Sequence, residues 1–348
     1  MKILITGNLG YVGSELVKTL RRAYPTAELI GFDSGFFMKQ VTNTLTSPEI
    51  YLDQQVLGDV RDFPEALLKG VDTVIQLAAI SNDPIGNKFE KVTFEVNHKA
   101  VTDIAVKAKN QGVKNVVFAS SCSVYGFAEE EARTESSTVN PLTAYAKSKV
   151  GAEKDLEALA DDGFKVTSLR FATACGMSDR LRLDLVLNDF LAGAISSEEI
   201  TILSDGTPWR PLINVRDMGT AIIWGFERDP GEGGNYLVVN TGSDSWNYQI
   251  KELAYAIQEV LPEVKVSVNK DALPDKRSYR VNFDLYKKLA PGYQPEHDLI
   301  RTIQDLVSGL QGIGFNDRKF RESKLIRLVV VNEMLSTGIL DESLHVVR

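Results

Sequence analysis

The chain of 348 residues carries 47 acidic against 39 basic side chains, a net charge of −8, and is 43% hydrophobic. That size suits one large domain with a smaller lobe, and the acidic balance excludes a general nucleic-acid footprint. Two cysteines and three histidines make neither a disulfide framework nor a metal cluster. No apolar run reaches the ~18 residues of a membrane span and no secretory cleavage pattern opens the chain, so a reducing cytoplasm is expected.

Lys2-Ile3-Leu4-Ile5-Thr6 is a short apolar run that ends in Gly7-Asn8-Leu9-Gly10-Tyr11-Val12-Gly13. Val12, Leu16, Val17 and Leu20 then recur at helical spacing. Strand, glycine turn and helix in that order suit a pyrophosphate. The glycines let the backbone turn tightly and come close, and the helix N-terminus faces the anion. The next strand, Leu29-Ile30-Gly31-Phe32, ends in Asp33, roughly twenty residues beyond Gly13. An acid there accepts hydrogen bonds from the adenosine ribose 2′-hydroxyl and repels a 2′-phosphate, so NAD is expected rather than NADP.

Apolar strands at 74–79 and 116–119 continue an alternation with helical segments through residue 175. This predicts an α/β fold, a doubly wound parallel sheet of Rossmann-like type, with a smaller C-terminal substrate-binding lobe. Residues 1–175 form the cofactor-binding domain and 212–241 return to it. Residues 176–211 and 242–348 form the lobe and a C-terminal helix.

Tyr145 and Lys149 lie four apart in a run of good helix formers, which places them on one face about one turn apart. A phenol at its usual pKa of roughly 10 is a poor base at neutral pH, and an ammonium or an oxidised nicotinamide beside it favours the phenolate. A serine hydroxyl, such as Ser121 at the end of the 116–119 strand, could orient the same substrate oxygen. The set suits moving a proton on or off an alcohol while a hydride leaves its carbon.

Ser121, Tyr145 and Lys149 resemble the catalytic trio of the short-chain dehydrogenase/reductase superfamily. The G-x-x-G-x-x-G spacing after Thr6 resembles its extended, nucleotide-sugar branch of NAD-dependent epimerases and dehydratases. The resemblance covers the first 240 residues well and the rest loosely, and it implies further cofactor contacts. Asp59 and Val60, in Gly58-Asp59-Val60-Arg61-Asp62, match the segment whose acid meets the adenine amine. Leu77, Ala78 and Ala79 match the small residues that let the backbone approach the diphosphate. Asn97 matches the asparagine that opens the following helix, and Phe171 ends the strand before the substrate side. Pro141 also fits.

On the substrate side the resemblance implies that Arg210 contacts the substrate diphosphate. A second arginine comes from Asp275-Lys276-Arg277-Ser278-Tyr279-Arg280, with Arg277 preferred over Arg280. Thr173 stands where hexose epimerases usually carry an asparagine that touches the sugar. A helix is expected from Arg180 to Ala194, with Leu183, Val186, Leu187, Phe190 and Leu191 as its core stripe. The segment from Asp317 to Leu335 is read as a terminal helix packing on the substrate lobe or on a partner subunit. Relatives commonly dimerise through two helices, here those after Asn97 and around Lys149, with Ile104, Val106, Leu156 and Leu159 as apolar contacts. A homodimer is therefore expected.

Sugar 4,6-dehydratases of the branch carry an Asp-Glu pair directly after the serine or threonine, and its decarboxylases keep the glutamate. Cys122 and Ser123 occupy those positions here, which disfavours both reactions. NAD disfavours a ketosugar reductase. An epimerase, returning the hydride to the other face of a ketosugar, is favoured on family frequency. A dehydrogenase releasing ketosugar and NADH is the alternative, and a silent cofactor-binding regulator is opposed by the intact trio.

Overall fold

The computed structural model describes residues 1–43, 45–128, 131–269 and 278–347. β1 (Lys2–Thr6) occupies the interior of a seven-stranded sheet, followed by α1 (Tyr11–Ala23). Its apolar run does not alternate with polar residues, because a parallel strand with helices on both faces has no solvent side. β2 (Glu28–Asp33) and β3 (Gln54–Leu57) extend the sheet in one direction. The chain then crosses back to β4 (Thr73–Gln76) on the other flank of β1.

Three short helices, α2 (Asp83–Lys88), α3 (Glu90–Phe94) and α4 (Ala100–Asn110), lead to β5 (Asn115–Ser121). α5 (Ala144–Leu159) leads from there to β6 (Lys165–Phe171). After β7 (Thr173–Cys175), α6 (Val186–Ser197), β8 (Glu199–Ile202), β9 (Trp209–Asn214) and α7 (Val215–Glu227), the chain returns to the sheet as β10 (Tyr236–Thr241). The strand order is β10-β6-β5-β4-β1-β2-β3, and every pairing in it is parallel. The winding reverses between β1 and β4, and ligands of such sheets bind beyond the strand ends at that point. Register levels those ends: Thr6 is opposite both Phe32 and Gln76.

Alternate residues of β1 serve opposite faces. Ile3 and Ile5 pack with Leu16, Leu20 and Ile222 of α1 and α7, while Leu4 packs with Ile104 and Leu156 of α4 and α5. The lobe holds two small sheets, β11 (Asn247–Gln249) with β9 and β7, and β12 (Lys265–Val268) with β8. α6, α8 (Ile250–Val260) and α10 (Leu299–Gly312) cover it, closing a second core around Leu187, Leu191, Ile257 and Ile303. α9 (Asp284–Leu289) packs against the main core instead. No helix among the described residues is long and apolar enough to cross a membrane.

Three expectations are corrected. The helix expected from Arg180 starts at Val186. Residues 180–185 are irregular because the chain there runs beside the C-terminal segment, the Leu183 N–H donating to the Leu325 carbonyl at 3.0 Å. Ile104 and Leu156 are 1% and 0% exposed within the chain's own core, so they cannot form subunit contacts, whereas Val106 is 38% exposed and Leu159 is half-buried. The terminal helix is short, α11 (Arg327–Ser336), and its apolar residues pack on Ile85, Val92 and the Phe36–Phe37 pair of the cofactor-binding domain. The residues leading into it, Phe320, Leu325 and Ile326, do pack on the core of the substrate lobe, as expected for that part of the segment.

Candidate active site

The strand ends open into a cavity of about 740 Å³. Gly7, Gly10, Tyr11, Val12, Gly13, Asp33, Asp59, Val60, Leu77, Ala78, Ala79, Tyr145, Lys149 and Phe171 all line it. Gly7 has φ +80°, and a Cβ on it would stand 2.5 Å from the Ala78 nitrogen. A Cβ on Gly13 would stand 2.5 Å from the Gly7 carbonyl oxygen. The turn is thus pressed against the end of β4 in a cradle that any side chain would fill, which is what a pyrophosphate lying on backbone N–H groups requires.

Asp33 closes β2. Its carboxylate accepts from the N–H of Leu9 at 3.1 Å and of Gly35 at 2.8 Å. Burial pushes its pKa above the ordinary carboxylate range, and those hydrogen bonds offset this only in part. Burial also acts to raise Asp59, but the Arg61 guanidinium, bonded to both carboxylate oxygens at 2.9 and 2.6 Å, more than compensates. Asn97 does not line the cavity. It is buried in a π-helical turn and holds Ile80 at both ends, accepting from its N–H at 2.8 Å and donating to its carbonyl at 3.0 Å. It therefore braces the loop after β4.

Ser121 ends β5, and its hydroxyl caps the following 3₁₀ turn by accepting from the Ser123 N–H at 3.2 Å. The same hydroxyl acts on the Tyr145 phenol, drawing its pKa down. Thr143 caps α5, accepting from the Ala146 N–H, so Tyr145 stands in the first turn and Lys149 one turn on. Burial pushes the phenol up to about 12, and the Ser121 hydroxyl pulls it back only in part. Burial likewise takes Lys149 down to about 7, against the opposing charge of Glu153. The expected lowering of the phenol by the lysine is absent here. Nζ donates to the Ala119 carbonyl at 2.7 Å, and desolvation governs both groups.

A buried ionic network holds α5 in place. Glu153 pairs with Arg170 of β6 through two bonds of 2.9 and 2.7 Å and accepts from the Ser120 hydroxyl at 2.5 Å. Arg170 also donates to the Tyr125 hydroxyl, which in turn donates to Asn240 at the far edge of the sheet.

On the substrate side Thr173 and Arg210 line the same cavity. Arg210 donates to the Trp209 carbonyl at 2.9 Å and lies 5.7 Å from the Tyr279 ring. Arg277 lies outside the described residues. Arg280 stacks on Trp209 at 5.3 Å and does not line the cavity. Several lining groups escaped the sequence reading. Arg182 forms a two-bond pair with Asp184 at 3.0 Å and donates to Ser81 at 3.0 Å. Arg321 pairs with Asp189, and Arg327 enters from α11. Asp83, in the first turn of α2, acts electrostatically on Tyr145. The Arg-Leu alternation from Arg180 to Leu185 was a usable signal for Arg182, since arginines interleaved with leucines point to burial. Arg327 had no local signal.

A glycine cradle at the switch point of a doubly wound sheet, with an acid closing β2 and Ser121, Tyr145 and Lys149 in one cavity, defines a short-chain dehydrogenase/reductase. The chain belongs to the NAD dependent epimerase/dehydratase family, whose profile matches residues 3–242, and the cofactor of that family is NAD. It is 25% identical over 323 residues to a UDP-glucose 4-epimerase of Corynebacterium glutamicum, covering 87% of this chain and 93% of that one. Among solved structures it resembles TunA, an NAD-dependent NDP-hexosamine 5,6-dehydratase of tunicamycin biosynthesis. The TM-score is 0.77 at 22% identity, over 91% of this chain and 99% of the other. It also resembles MoeE5 in complex with UDP-glucose and NAD, with a TM-score of 0.75 at 23% identity, over 90% and 99% of the two chains.

Proposed function

We propose that this chain is an NAD-dependent nucleotide-sugar epimerase. The observation that carries the reading is that Ser121, Tyr145 and Lys149 line the same cavity as the glycine cradle, with Cys122 and Ser123 rather than carboxylates after the serine. When bound, the nicotinamide supplies the hydride acceptor and donor, and its positive charge favours the phenolate. Tyr145 then takes the proton from a sugar hydroxyl and gives it back after the ketosugar has turned over. Ser121 holds the substrate oxygen and Lys149 fixes the phenol's surroundings. Asp33 holds the adenosine ribose. Arg210 anchors the substrate diphosphate, because a planar fork can hold two phosphate oxygens at once. A homodimer is proposed from the family habit, with the exposed side of α4 as its contact.

A second reading, elimination of water from the sugar, has one observation in its favour. The Asp83 carboxylate acts on Tyr145 and lies in the same cavity. Incubation with NAD and a panel of UDP-, GDP-, CDP- and dTDP-sugars separates the possibilities. An inverted sugar without accumulating NADH supports the epimerase. Stoichiometric NADH with a ketosugar would establish a dehydrogenase, and a product lighter by one water a dehydratase.

A further inference from the structure

We propose that Arg327 is a cofactor ligand whose guanidinium meets the cofactor diphosphate from the side opposite the glycine turn. The proposal rests on the reading that the cavity holds NAD, and it adds a residue far beyond the 3–242 segment that defines the family.

Arg327 opens α11 and lines the cavity although it is only 4% exposed. One nitrogen, Nη2, donates to the Arg180 carbonyl at 3.3 Å, and the guanidinium lies 4.0 Å from the Phe37 ring centre. Nη1 is buried with no hydrogen-bond partner among the described residues. Nearby acids are already engaged. Asp184 is held by Arg182 and by Asn82 at 2.5 Å, and Asp33 accepts from the Leu9 and Gly35 N–H groups. Arg180 and Arg182 act on Arg327 as repelling neighbours, and burial takes its pKa down to about 9, so it is still a cation at neutral pH.

A buried guanidinium with an unmet N–H is costly unless an anion completes it. NAD brings one anionic group, the diphosphate. The glycine turn serves that group with backbone N–H donors, leaving its other side to a side chain, and a guanidinium suits phosphate oxygens. The competing explanation is that Arg327 merely neutralises Asp33, on which it does act electrostatically. The two differ in what the ligand-free protein feels. A purely structural arginine stabilises it, whereas one held for a ligand is a burden until the ligand arrives.

The test uses the full chain with Arg327→Met and Arg327→Lys. Calorimetric titration compares NAD, ADP-ribose, which keeps the diphosphate, and adenosine, which lacks it. Thermal unfolding of each ligand-free protein is followed alongside. Arg327→Met is expected to weaken NAD and ADP-ribose by about tenfold each, the scale of one lost charged hydrogen bond, with adenosine unchanged. Its unfolding temperature should be equal to or above that of the wild type, and Arg327→Lys should restore most of the affinity. Unchanged ADP-ribose affinity, an equal loss for adenosine, or failure of Arg327→Met to fold would each overturn the proposal. A wild-type protein that binds neither NAD nor ADP-ribose would instead defeat the functional reading beneath it.

Discussion

Nζ of Lys149 lies 5.5 Å from the centre of the Tyr145 ring, while its hydrogen bond goes to the Ala119 carbonyl. The two groups are neighbours on α5, yet burial is the largest influence on each, leaving a neutral phenol beside a lysine that titrates near neutrality. The charge that converts the phenol to a base must therefore come with the ligands.

Tyr145→Phe removes one oxygen and keeps the ring, so fold and cofactor affinity should survive while turnover falls about 10²–10⁴-fold, the usual worth of general acid–base help. Ser121→Ala should be milder. Steady-state rates on an established nucleotide sugar check both, and wild-type turnover in Tyr145→Phe would refute the assigned proton transfer.

The ligand-free protein should become more stable as the solution becomes more basic, and Lys149 should be the cause. Burial holds its folded pKa at about 7 against the 10.5 of an ordinary lysine. Between those values the unfolded chain binds a proton that the folded chain does not, so stability rises with pH, by at most about 1.4 kcal/mol per unit. Below pH 7 both states are protonated and the contribution is flat. Lys149→Met should thus be most stabilising at or below pH 7, with its advantage shrinking toward pH 10. Urea midpoints at four pH values test this, and a constant gap between the two proteins would contradict it.

Asp33 lines the cavity at the end of β2, and in the proposed role its carboxylate would oppose a 2′-phosphate. The wild type should bind NAD(H) more tightly than NADP(H), and Asp33→Ala should erase about tenfold or more of that preference by removing the repulsion. Fluorescence titration of the reduced cofactors measures it. Equal preference in wild type and variant would remove the role given to Asp33.

Glu153→Gln should cost about 3–5 kcal/mol, because it leaves the Arg170 guanidinium buried without its counter-charge. Chemical denaturation reads the loss. A change below about 1 kcal/mol, typical of exposed pairs, would show that the pair is solvated in solution.

Where a signal is local, the sequence carried it. Gly7, Gly13 and Asp33 are fixed by the spacing of one strand-turn-helix unit and the strand that follows, and Tyr145 with Lys149 by a single helical turn. Asn97 was legible as a position but not as a role, since its clasp on Ile80 depends on how the loop after β4 folds back. Ile104 and Leu156 were misjudged because a helical stripe says which residues share a face, not whether that face meets a sheet or a subunit. Arg182 and Arg327 reach the cavity through tertiary returns. Arg327 arrives only because the apolar side of α11 matches Phe36, Phe37 and Ile85, residues hundreds of positions away in the chain.

The buried Glu153–Arg170 pair has a consequence for how the site breathes. α5 is tied to β6 by that pair and to the sheet edge by the Tyr236 hydroxyl, which donates to the Glu153 carbonyl at 3.0 Å. Its amides should exchange with deuterated solvent only when the whole domain unfolds. α11 is held instead by one apolar seam, by Arg327 on the Arg180 carbonyl and by Lys88 on Asn332, and the chain after it by the Arg61 bonds to the carbonyls of Ser343 and Leu344, so its amides should exchange through a smaller, cheaper opening. The groups proposed to handle the proton would then stay fixed while the segment that carries Arg327 comes and goes, and cofactor exchange would leave the chemistry undisturbed.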